Sequence, residues 1–164
     1  MCIATYRPIG GRLNASAQAE KIVRNMRARI KPDRDRDDPK PSIVVQWWPK
    51  PVIAPGQQSW VNGLLEAAGA PNPLAGRPVK SLPITDDEVA ELDPDAFVIA
   101  WCGGSPDKYR PDVIYRKVEW NSLRLVQQRH VYPVPKAFLG RPGPRLVEGF
   151  KALAEIAARV RDTR

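Results

Sequence analysis

The sequence predicts an α/β fold with an open, mostly parallel sheet flanked by helices, and three observations carry that reading. Strand-like and helix-like segments alternate from Ser42 onward. The strand candidates are short, β-branched and nearly free of polar residues, as strands covered on both faces should be. The helix candidates carry apolar residues at three- and four-residue spacing, so each has one face to bury against such a sheet.

The elements follow in order. Ala15, Ala19, Ile22, Val23, Met26 and Ile30 lie on one stripe behind Asn14, a possible cap, so residues 15–30 read as an amphipathic helix. The run Lys31 to Pro41 holds three prolines and alternating charges without a large apolar side chain, which makes it a solvated linker. Two parts result: residues 1–41, a helix and its linker, and residues 42–164, an α/β lobe.

Ser42 to Trp47 predicts the first strand, and Pro49, Pro51, Pro55 and Gly56 predict a long irregular loop after it. Ser59 is placed to cap a helix through Ala68 that ends at Gly69. Thr85 and Glu88 match a capping box before Val89 and Leu92, and Asp93-Pro94 stops that helix. Ala96 to Trp101 predicts a second strand, Pro111 to Glu119 a helix and His130 to Val134 a third strand. Arg145 to Val160 predicts a closing helix with Leu146, Phe150, Leu153, Ile156, Ala157 and Val160 on one stripe.

Composition narrows the function. The chain has 164 residues and a formal charge of +8, with no apolar run long enough for a membrane helix. Cys2, Cys102 and His130 are too few for a four-ligand zinc site or a disulfide framework, and no metal site is expected. Cys102 and His130 also form the only candidate nucleophile and base, but His130 opens a strand, and the glycines after Cys102 are explained by a tight turn. Gly103 to Lys108 lacks the spacing of a phosphate loop. No catalytic residue is assigned and no enzyme is expected.

Charge is uneven, with ten basic and five acidic residues in 1–41, four and eight in 42–109, and twelve and five in 110–164. A basic nucleic-acid-binding module is the alternative of another class. Aromatics are not interleaved with the bases and no reading motif is present, so a solvated basic surface is the expectation.

Loops after the three strands hold Trp47-Trp48, Trp101-Cys102 and Lys136-Ala137-Phe138. In a parallel sheet all three leave one edge, where α/β ligands bind. Neighbouring residues of a strand face opposite ways, so Trp47 and Trp48 cannot both point inward.

In chain order the basic helix and linker, Val45-Gln46-Trp47-Trp48-Pro49-Lys50-Pro51 through Gly56, Asp93-Pro94-Asp95, Cys102-Gly103 and Arg141-Pro142-Gly143-Pro144-Arg145-Leu146 form a recognisable set. They resemble the C-terminal half of the vitamin B12-binding substrate-binding proteins of ABC importers, from about Ile9 to Val160. The resemblance implies two α/β lobes joined by a long helix, a corrinoid held between them, and an acidic docking residue on each lobe. Here it implies one lobe preceded by part of the connecting helix, starting near Ile9-Gly10-Gly11. By the same resemblance Trp47, with Trp48, Trp101 and Phe138, would line half of a cobalamin site. Asp87, with Glu88, would dock on the permease.

A ferric siderophore or haem is the alternative ligand, because the architecture serves those chelates and a basic surface suits an anionic one. No covalently bound cofactor is expected. The implied partners are the ligand, the permease, and a first lobe or a second copy of this chain. A periplasmic or cell-surface location is implied, whereas Met1 to Arg7 supply no export signal. Were the chain a complete gene product, it would be cytoplasmic.

Overall fold

The structure is a computed structural model that describes residues 6–32, 39–103 and 110–163. The charged centre of the linker, residues 33–38, the Gly104 to Lys108 segment and Cys2 lie outside the described residues.

Three parallel strands form the main sheet: β1 (Ile43–Gln46), β5 (Ala96–Ile99) and β6 (Val131–Pro133), in the order β1-β5-β6. Ile43 stands beside Ala96 and Gln46 beside Ile99, while Phe97 stands beside Val131. β1 and β5 are buried throughout, because helices cover both faces.

On one face Ile43, Val45 and Val98 pack with α2 (Ser16–Arg29), α3 (Trp60–Ala67) and α8 (Leu146–Asp162) through Val23, Met26, Leu64, Leu65, Phe150 and Leu153. On the other, Val44, Phe97 and Ile99 pack with Ile84, Val89, Ile114, Leu125 and Trp120. Trp120 is fully buried and meets Phe97 edge-on with ring centres 5.1 Å apart. Each buried apolar side chain of this size contributes roughly 1.5–3 kcal/mol.

Two of the three expected N-caps hold, Ser59 and Thr85. Ser59 accepts a hydrogen bond from the Val61 amide, and α3 ends at Gly69, whose φ is 68°. Thr85 and Glu88 form the capping box of α4 (Asp86–Leu92), which stops at Asp93 in the left-handed conformation.

Other expectations are corrected. Residues from Tyr6 to Arg12 form a separate helix, α1, folded back on α2. A β-carbon at Gly10 would lie 2.5 Å from that of Ala19, so the crossing needs glycine there. Asn14 does not cap α2: with φ of 50° it makes the turn between the helices, a conformation asparagine tolerates, and Ala15 holds the cap position. The expected irregular loop is instead an antiparallel ribbon, β2 (Trp48–Pro49), β3 (Val52–Pro55) and β4 (Ser81–Ile84). β5 ends at Ile99, two residues early. The expected helix from Pro111 breaks into α5 (Asp112–Tyr115) and a 3-10 turn, Val118–Trp120, because Lys117 is extended. Two short helices, α6 (Arg124–Gln127) and α7 (Lys136–Leu139), complete the lobe.

Candidate functional site

Because β1, β5 and β6 are parallel, the segments that follow them leave the same edge and build a cleft there. Its larger cavity, about 510 Å³, is lined by Cys102, Gly103, Lys136, Ala137, Gly140, Arg141, Gly143, Pro144 and Arg145. These residues come from the end of β5, from α7 and from the turn that starts α8. An adjoining cavity of about 340 Å³ has Trp47, Ile53, Ser59, Trp60, Lys80 and Ser81 in its wall, and shares Cys102 and Gly140 with the first. Both fall in the size range of small-molecule sites, about 300–1,000 Å³.

The electrostatics are one-sided. Lys80, Lys136, Arg141 and Arg145 line the two cavities, and among the described residues no Asp or Glu does. All four bases are exposed and make no ion pair among the described residues. Four unpaired cations beside low-dielectric walls favour a ligand with negative charge.

The aromatic residues separate. Trp47 is 9% exposed and lines the smaller cavity, 6.4 Å from Trp60 between ring centres. Trp48 is 46% exposed, and a β-carbon at Gly103 would lie 3.8 Å from its ring, so the indole stands beside the cleft floor. The opposite facing of these neighbours follows the strand geometry. Trp101 lies elsewhere: it packs on the far core and donates to Gln46 Oε1 at 2.7 Å. Phe138 leans on the near core and lines neither cavity.

Asp87 and Glu88 differ just as sharply. Glu88 closes the capping box and lies 3.5 Å from Arg77. Asp87 is exposed and makes no hydrogen bond or ion pair among the described residues. Asp86, between the cap and Asp87, pairs with Lys117.

Cys102 and His130 do not meet. His130 stands at the amino end of β6, beside Ala96, whereas Cys102 follows the carboxyl end of β5. His130 is 4% exposed, with Nδ1 3.2 Å from the Asp95 carbonyl and Nε2 3.1 Å from Thr163 Oγ1. Both ring nitrogens are committed to the structure, and no group of three or more metal-ligating side chains occurs among the described residues.

A cleft beyond the strand ends is where open α/β sheets bind their ligands, and comparison with known proteins places the fold. Residues 4–137 match the family model described as periplasmic binding protein.

The chain belongs to the periplasmic binding protein family.

A curated relative is the uncharacterised ABC transporter substrate-binding lipoprotein YvrC of Bacillus subtilis (strain 168), 26% identical over 153 residues, 90% of this chain and 46% of that one. Among solved structures, an Fe3+-hydroxamate transport protein of Saccharomonospora viridis superposes with a TM-score of 0.79 at 23% identity, covering 94% of this chain and 54% of that one. The vitamin B12-binding protein BtuF of Vibrio cholerae superposes at 0.63 with 17% identity, covering 90% and 54%. At these identities the structures establish the fold. The chain spans about half the length of these relatives, one lobe of a periplasmic binding protein.

Sequence reasoning missed Lys80, Arg141 and Arg145 as site residues. The signal for Arg141 and Arg145 was the excess of bases over acids in residues 110–164, which pointed to a surface without saying which, whereas Lys80 lies in the net acidic stretch 42–109 and had no such signal.

Proposed function

We propose that this lobe supplies half of the ligand site in a substrate-binding protein of an ABC importer, and that the ligand is an anionic metal chelate such as a ferric siderophore or haem. The observation that carries the reading is the cleft wall, where the described residues include four bases without an ion-pair partner and no acid. Its partners are a first lobe that closes over the chelate and a permease that receives it. Asp87 is the docking acid, an exposed carboxylate on a lobe whose residues 42–109 are net acidic inside a basic chain. The site of action is the periplasm or cell surface, in keeping with the family and with the lipoprotein relative.

Cobalamin is the second reading, favoured by Trp47 in the cavity wall and the exposed Trp48 beside it, flat faces suited to a corrin. The two readings separate on charge. Haemin, a ferric triscatecholate and cyanocobalamin are titrated against tryptophan fluorescence in the wild-type chain and in Arg141→Gln/Arg145→Gln. Half of a nanomolar site, divided evenly, corresponds to a Kd on the order of tens of micromolar. The anionic reading expects the double variant to weaken haemin or the triscatecholate about tenfold or more. Saturable cyanocobalamin binding that Trp47→Ala abolishes, with no binding of either anion, would establish cobalamin instead.

A further inference from the structure

The smaller cavity differs in character from the larger one. Its inner wall is Trp47, Trp60 and Ile53, with Lys80 and Ser81 only at the β4 side, whereas the larger cavity is lined by three bases, glycines, Pro144 and the Cys102 and Ala137 side chains. The tryptophans are held in place. Trp60 Nε1 donates to the Leu139 carbonyl at 2.7 Å, and Trp47 packs in the core at an interplanar angle of 42° to Trp60. The two indoles pack against each other, and the open slot they line together with Ile53 is preformed for an apolar group, which loses water on entry while the slot needs no rearrangement. Cys102 and Gly140 border both cavities, so one molecule can occupy the two together.

We infer that the slot walled by Trp47, Trp60 and Ile53 is a second subsite, which takes an apolar arm of the ligand while its anionic chelate occupies the basic cavity. This rests on the metal-chelate reading above and narrows it. The substrate class is an amphiphilic chelate with a compact anionic centre and a side arm of aromatic or short aliphatic character. A volume of about 340 Å³ accommodates a group of benzyl or short acyl size but not a second chelate. Lys80 at the slot's edge favours an arm that carries an acceptor or an anion beyond its apolar part.

The test uses two probes of equal charge: the ferric complex of a hexadentate triscatecholate, and the same complex carrying one benzyl arm. The benzyl complex is expected to bind about tenfold tighter, the gain of burying an apolar group of that size. Ser81→Trp, at an exposed position of the wall, should erase that gain and leave the unsubstituted complex unchanged. Ile53→Trp fills the slot from the neighbouring strand β3 and serves as the second variant, with thermal melts to verify folding. Arg141→Gln should weaken both complexes alike. Equal affinity of the two complexes overturns the slot while leaving the metal-chelate reading standing, as does a benzyl gain that survives both tryptophan variants. Binding of neither complex, nor of haemin, overturns the reading and the slot with it, and binding of haemin alone overturns the slot.

Discussion

Asp87 and Glu88 are adjacent acids, yet the structure divides their roles by geometry. Thr85→Ala removes the acceptor that holds the Glu88 amide and should lower stability by about 1 kcal/mol in a thermal or urea melt. Asp87→Lys touches neither the cap nor an ion pair, so the melt should stay nearly unchanged. In a chain fused to a suitable first lobe it should slow permease capture and alter its salt dependence. Undiminished capture would end the docking role. Glu20 allows a pH experiment. Its hydrogen bond to Arg7, at 2.6 Å, holds its carboxyl below the ordinary value of 4.5, with smaller help from the charges of Arg7, Arg24 and Arg27. A carboxyl whose pKa is lower in the folded state binds fewer protons there than in the unfolded chain, so the brace is intact above the ordinary value. It is lost as pH falls through the lowered one. Amide exchange in α1 should therefore quicken as pH drops below 4.5, after correction for intrinsic rates, and Glu20→Gln should remove that dependence. At this scale strand alternation made the split between Trp47 and Trp48 legible. The orientation of Trp101 was not, because it depends on a hydrogen bond to Gln46, 55 positions away in the chain.

Helices were legible where a long apolar stripe, as in α2 and α8, or a side-chain cap, as in α3 and α4, marked them. In α8 Leu153 is fully buried and Glu155 exposed. Leu153→Ala should cost roughly 2–5 kcal/mol by transfer loss and cavity formation. Glu155→Ala should stay within about 0.5 kcal/mol, a contrast that denaturant melts measure directly. The ribbon of β2, β3 and β4 was illegible because prolines interrupt its sequence. Its geometry resolves the conflict: Pro49 and Pro83 lie on the two edge strands, where a missing donor costs little, and Pro55 ends the central one. Gly56 then approaches the chain so closely that a β-carbon would lie 2.6 Å from the Val79 carbonyl oxygen. Gly56→Ala should therefore destabilise by about 1–3 kcal/mol through overpacking. The short helices α5 to α7 each span four residues, too few for periodicity to register.

For the whole molecule the decisive quantity is the field in the cleft. If the ligand is anionic, its affinity should fall several-fold between about 10 and 300 mM salt, as the screening length shrinks from roughly 30 Å to below 10 Å. That of cyanocobalamin should hold nearly constant, and isothermal titration at both salts distinguishes them. The amino-acid sequence by itself determined the α/β class, the strands Ile43–Gln46 and Ala96–Ile99 within a residue or two, the caps at Ser59 and Thr85, and the sheet edge where the segments after the strands gather. Each of those rests on local spacing or on the rule that parallel strands send their following loops to one side. Only the tertiary structure decided that Lys80, Lys136, Arg141 and Arg145 share one cleft, that Trp60 packs against Trp47 in the wall of one cavity, and that His130 binds Asp95 and Thr163 rather than Cys102. Those pairings join side chains far apart in the chain, and strand order and helix packing, not local pattern, set the distances between them.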